Sequence, residues 1–101
     1  MTTATFNKIV SEQLHRCSNL LLAKEKEYAL HEDRLSSFKK AGALLGETPM
    51  QAALGMLSKH LVSVSDMIQS SGHFTISQWD EKLTDSINYL LIMRAMIEED
   101  A

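Results

Sequence analysis

Apolar residues along this chain recur every three or four positions, in four blocks separated by short polar breaks. The first block, from about Phe6 to Tyr28, places Phe6, Val10, Leu14, Cys17 and Leu21 at helical spacing with charges on the other side. A polar stretch around His31 to Asp33 interrupts it. A short helix is predicted from about Arg34, with Leu35, Phe38, Ala41 and Leu45 inward and Gly46 placed to end it. Thr48-Pro49-Met50-Gln51 is a strong start signal, because Thr48 can cap, Pro49 suits the first helical position and Gln51 closes a capping box. The helix it opens should run to about Ser70, with Leu54, Leu57, Leu61, Val64 and Ile68 as its apolar seam. Ser70-Ser71-Gly72 ends it, and Thr75-x-x-Gln78 opens a last helix to roughly Glu98. No segment alternates with period two for long enough to be a strand. Four helices with short connections predict an all-α fold, a four-helix bundle-like single domain over residues 1–101.

Composition narrows the partners. With 101 residues the chain holds one core, and a hydrophobic fraction of 45% excludes disorder. A net charge of -3 without a run of Lys or Arg argues against a broad nucleic-acid surface, while leaving room for one small anionic ligand in a local pocket. The single cysteine, Cys17, has no internal disulfide partner and fits a reducing compartment; among Leu14, Leu20 and Leu21 it reads as a small buried apolar group. No apolar run approaches the roughly 18 residues of a membrane span and no signal-peptide core is present, so a cytoplasmic protein without membrane association is expected. Leu90, Leu91, Ile92, Met93, Ala95, Met96 and Ile97 are apolar nearly all round the helix. A small monomer does not supply that many neighbours, so a homo-oligomer is expected.

The candidate chemistry lies on the last two helices. Glu81, Asp85 and Asn88 stand at i, i+4 and i+7, and their stripe runs on into Ile92 and Ala95. Two carboxylates and an amide held this way can take a hard cation or read a polar ligand, and Glu81 with Asp85 meets the minimum for Mg²⁺. The same spacing also occurs on solvated helices. Lys59, Ser63 and Asp66 repeat it on the preceding helix, beside His60 and in line with the small residues Ala52 and Gly55. If the two rows face each other, the cleft binds a nucleotide, with Lys59 on a phosphate and the carboxylates on a metal or a ribose hydroxyl. Alternatively, Lys59 pairs with Asp66 or Glu81 as a structural ion pair. His60 has no histidine or cysteine at ligand spacing, which favours a hydrogen-bonding or packed imidazole. Near the first junction, Tyr28 can stack on a base or simply anchor its helix, and Arg34 can fork onto a phosphate. No Ser-His-Asp arrangement and no glycine-rich phosphate loop are readable.

Together, Lys26-x-Tyr28, Asp33-Arg34, Phe38, Gly46-x-Thr48-Pro49, Lys59-His60, Ser63, Asp66 and Trp79-x-Glu81-Lys82-x-x-Asp85-x-x-Asn88-Tyr89 form a recognisable pattern. It resembles small all-α proteins common in bacteriophage and prophage genomes, distant relatives of the MazG-like nucleotide pyrophosphohydrolases. The resemblance spans about residues 20 to 95. In that group a Glu-x-x-Glu helix and a Glu-x-x-Asp helix hold Mg²⁺ around a nucleoside triphosphate. The resemblance maps Glu81 and Asp85 onto the second pair, with one extra residue between them. Where the first pair should stand, this chain has Lys59, His60 and Ser63, with Asp66 the only acid nearby. So few carboxylates imply a retained nucleotide pocket with weakened or absent hydrolysis. An active form would be a Mg²⁺-dependent pyrophosphohydrolase releasing pyrophosphate. The rival expectation is a counter-defence protein in the host cytoplasm, which sequesters a cyclic-nucleotide immune signal or blocks a host defence protein.

Overall fold

The computed structural model describes residues 1–25 and 33–101, with the side chains of Lys24 and Glu25 left aside. It is all-α, with α1 (Thr3–Glu25), α2 (Ser36–Leu45), α3 (Pro49–Gln69) and α4 (Ile76–Asp100). The helix starts follow from local hydrogen bonding. The Thr48 hydroxyl accepts from the Gln51 N–H at 3.1 Å and the Gln51 side chain accepts from the Thr48 N–H at 2.8 Å, with Pro49 opening α3. Thr75 and Gln78 repeat this exchange at the start of α4. The short helix begins two residues later than its sequence pattern predicts, because Asp33 first folds the chain into a turn. Its carboxylate accepts from the Leu35 N–H at 2.9 Å and its carbonyl from the Ser36 N–H at 3.2 Å. Gly46 ends α2 at φ 69°, the left-handed position that suits a residue without a side chain.

α4 organises the molecule, with α3 packed along one side and α1 along another, while α2 packs on α3. The core gathers Leu35, Phe38, Ala53 and Met96, flanked by Met50, Met56, Tyr89, Ile92 and Met93. Ala53, near the start of α3, meets Met96 late in α4, whereas His60 meets Asp85 and Tyr89 earlier in α4, so these helices are antiparallel. α1 runs with α4: Gln13 donates to the Thr84 hydroxyl at 2.8 Å, and further along Leu20 and Leu21 share a wall with Leu91 and Ile92. Arg16 reaches back along that seam to Asp80 at 3.6 Å. Among the described residues no helix is long and apolar enough to cross a membrane.

Several apolar positions expected inside are outside. On α1, Cys17 is buried, but Phe6 is 58% exposed and Leu14 60%. The reason is coverage, since among the described residues α1 packs only on α4. On α3, Leu57 is buried, whereas Leu54, Leu61 and Ile68 of the expected seam are exposed. The helix is turned so that Ala52, Ala53, Leu57 and Met67 point in, the two alanines letting neighbouring backbones approach. Leu45, expected inward on α2, is also exposed, and Gly42 takes the buried place one turn earlier.

Candidate functional site

Residues of all four helices and of the turn before α2 line a half-open cavity of about 600 Å³. Its walls are mostly apolar, and its polar groups are Arg34, Ser37, His60, Asp85, Asn88 and the Tyr89 phenol. Such a balance, apolar walls with a few convergent polar groups, characterises small-molecule sites. Four of the residues singled out by sequence, Arg34, His60, Asp85 and Asn88, therefore come together. Asp85, Asn88, Tyr89 and Ile92 do so because they stand at i, i+3, i+4 and i+7 on α4, one face of that helix.

The other candidates do not line it. Lys59 is exposed and makes no ion pair among the described residues, neither with Asp66 nor with Glu81. Ser63 spends its hydroxyl on the Lys59 carbonyl of its own helix at 3.2 Å. Glu81 is exposed one turn before Asp85. The expected convergence of the Lys59 and Glu81 rows is thus corrected by one residue on α3. The rotation that buries Ala53 and Leu57 turns the next residue, His60, toward α4 and sends Lys59 to solvent. Tyr28 lies outside the described residues.

Within the cavity, His60 Nδ1 stands 3.9 Å from an Asp85 carboxylate oxygen, and both side chains are about a quarter to a third exposed, at 25% and 30%. The His60 ring also tilts against Tyr89, with centroids 5.1 Å apart, and Tyr89 meets the edge of Phe38 at 6.3 Å. These three rings make an aromatic wall, with Phe38 perpendicular to Tyr89 and His60 inclined to it by 36°. Arg34 donates from Nη2 to the Leu21 carbonyl at 3.2 Å, which fixes its guanidinium across the mouth between α1 and α2. Asn88 is only 6% exposed, and neither its Nδ2 nor its Oδ1 has a hydrogen-bond partner among the described residues. Buried amides are almost always paired, and an unpaired one costs on the order of 1–3 kcal/mol per group.

Sequence reasoning passed over Tyr89, Phe38 and Met56 as cavity-lining residues. For Tyr89 a signal existed, since it follows Asn88 and stands one turn after Asp85 on the same face. Phe38 and Met56 sit at ordinary core positions, and nothing in their spacing separates a cavity wall from a filled interior. No three His, Cys, Asp or Glu side chains group closely enough to hold a metal ion among the described residues. Comparison with protein families, with curated proteins and with solved structures found no match.

Proposed function

We propose that this chain binds a nucleotide-like ligand in the cavity between α1, α2, α3 and α4. The observation that carries the reading is the shared lining of Arg34, His60, Asp85 and Asn88 within apolar walls. In this reading the aromatic wall of His60, Tyr89 and Phe38 takes a base, Asp85 and Asn88 take polar edges, and Arg34 at the mouth takes a phosphate. Lys59 adds charge outside the cavity rather than a contact within it. A Mg²⁺ carried on the ligand's phosphates would find no pair of carboxylates in the lining, since Glu81 lies outside it and Asp85 takes the base, so capture is favoured over MazG-like hydrolysis. The protein purified from its host would carry bound nucleotide, seen as excess absorbance at 260 nm and identified by mass spectrometry. Absence of any such ligand, together with no thermal shift from a panel of mononucleotides and cyclic dinucleotides, would remove the reading. Pyrophosphate release from nucleoside triphosphates with Mg²⁺ would instead establish the enzymatic version.

Self-association belongs to the same proposal. α3 leaves Leu54, Leu61 and Ile68 exposed, and α4 leaves Leu83, Leu90 and Ile97 exposed, each set spaced by seven residues. That spacing fills one of the two heptad positions that line the seam of paired helices. Sedimentation of the wild type as a larger species, reduced to a monomer by Leu61→Lys with Leu90→Lys, supports it; a wild-type monomer at all concentrations sinks it. The second reading, a phage counter-defence protein, divides the same way. Sequestration of a cyclic-nucleotide signal uses the cavity. Blocking of a host defence protein would draw on the exposed apolar residues Phe6, Ile9, Val10 and Leu14 of α1.

A further inference from the structure

We propose that Asn88 and Asp85 read an amidine-type edge of the ligand, an exocyclic amino group beside a ring nitrogen, as adenine presents. This inference rests on the nucleotide reading above and specifies what the cavity recognises. The Asn88 carboxamide is buried to 6% exposure in the cavity lining, with both its donor and its acceptor unpaired among the described residues. A side chain that merely packed there would gain from being leucine, since an apolar group of similar size leaves nothing unsatisfied. A carboxamide offers one donor and one acceptor side by side, and it does so whichever way round its nitrogen and oxygen are assigned. A ligand edge carrying one acceptor and one donor gives each of the carboxamide's two polar atoms a partner, the bidentate pairing asparagine makes with the amino group and ring nitrogen of adenine. Both atoms expose less than 1 Å² as they stand, so the carboxamide meets such an edge by turning toward the cavity about its broad terminal torsion.

Asp85 decides between edges. It stands three residues before Asn88 on the same face of α4, lines the same cavity and is flanked by His60 Nδ1 at 3.9 Å. An ionised carboxylate only accepts. Beside Asn88 it asks for a second N–H and repels a carbonyl oxygen. An amino group supplies two N–H bonds, one for Asn88 and one for Asp85, while the adjacent ring nitrogen accepts from Asn88 Nδ2. A hypoxanthine ring puts a carbonyl oxygen where the amino group would be and meets Asp85 with the wrong sign. A guanine ring carries an amino group beside a ring nitrogen only at N2 and N3, on the side of its sugar, where the ribose stands in the way of two side chains. The rings of His60, Tyr89 and Phe38 in the same lining accept any base by its face, so selectivity falls to the two α4 side chains.

The test is calorimetric titration of the full chain with adenosine, inosine, guanosine and purine-riboside 5′-monophosphates. We expect adenosine monophosphate to bind at least tenfold more tightly than the inosine, guanosine and purine-riboside compounds. Asn88→Leu should raise the melting temperature of the free protein and cut that preference, and Asn88→Leu with Asp85→Leu should erase it. Asn88→Asp, which retains shape but loses the donor, should cut the preference as well. Equal affinities for the adenosine and inosine compounds overturn the inference while leaving nucleotide binding in place. Binding of none of the four overturns both. A lowered melting temperature in Asn88→Leu with the preference intact also overturns the inference, because it makes Asn88 a structural residue.

Discussion

A β-carbon built on Gly42 would lie 2.7 Å from the Glu47 carbonyl oxygen and 3.0 Å from the Thr48 carbonyl carbon. Both are backbone atoms of the turn between α2 and α3, and Glu47 N–H already closes that turn on the Gly42 carbonyl at 2.7 Å. Helix propensity favours alanine at an interior helical position, by about 1 kcal/mol over glycine. Here the contact outweighs propensity, because backbone atoms cannot swing aside. Gly42→Ala is therefore expected to destabilise the fold by about 1–3 kcal/mol, the range of core overpacking, measured by urea denaturation. A second residue-scale feature is Lys39, whose ammonium bridges Asp33 at 2.7 Å and Glu99 at 2.6 Å, tying the entry of α2 to the end of α4. The Lys39 ammonium, and then the Leu35 N–H, hold the Asp33 carboxyl below its ordinary value of 3.8. The unfolded chain thus takes up this proton first as the pH falls. The contribution is complete above about pH 4 and disappears as the pH drops through the lowered folded value. The Lys39 ammonium is raised above its ordinary 10.5 by hydrogen bonds to Asp33 and then Glu99, so its own contribution holds below that value and fades at more alkaline pH. Lys39→Met should flatten the acid limb of the urea midpoint plotted against pH. An acid limb as steep as in the wild type would show that the bridge does not couple to folding.

At the scale of elements, the ends of α3 and α4 were the most legible part of the sequence. Thr48 with Gln51 and Thr75 with Gln78 are complete local instructions, because every atom they use lies within four residues. Thr48→Ala and Thr75→Ala should each cost about 1 kcal/mol and add in the double variant, read from denaturation midpoints. Rotation was less legible. Along α3 the rows of Leu54, Leu61 and Ile68 and of Ala53, His60 and Met67 are adjacent and both largely apolar, and hydrophobicity ranks the first higher. Packing chose the second, since alanine at 53 lets the core residues Leu35, Phe38 and Met96 close in. That choice is tertiary, and it is also why His60 rather than Lys59 reached the candidate site. On α4 the polar stripe was half legible: Asp85 and Asn88 line the cavity, but Glu81, a turn closer to the helix start, lies beyond it.

At the scale of the whole molecule, the four helices do not share one closed interior. α3 is held by α2 and α4, whereas α4 is the one helix that α1 packs on among the described residues, through the Gln13–Thr84 hydrogen bond and the Arg16–Asp80 pair, with Arg34 tied to the Leu21 carbonyl near the end of α1. Elements with few buried contacts open at lower free energy than the rest. Amide hydrogen exchange is therefore expected to be faster throughout Thr3–Arg16 than in the middle of α3, and uniform protection across both would contradict this arrangement. Leu20 and Leu21 of α1 complete the cavity wall, so a ligand held there adds contacts that α1 otherwise lacks. Saturating ligand should slow exchange most strongly in α1.

The only tryptophan, Trp79, sits in the first turn of α4 with its indole edge-on to Phe74 at 6.0 Å, next to Asp80 of the Arg16 pair. Its emission is accordingly a natural gauge of whether α1 is seated on α4, read without any attached dye. The indole lies outside the cavity lining, so a base stacked on Tyr89 would not quench it directly. A colour shift on titration would instead report movement relayed along the α1–α4 seam.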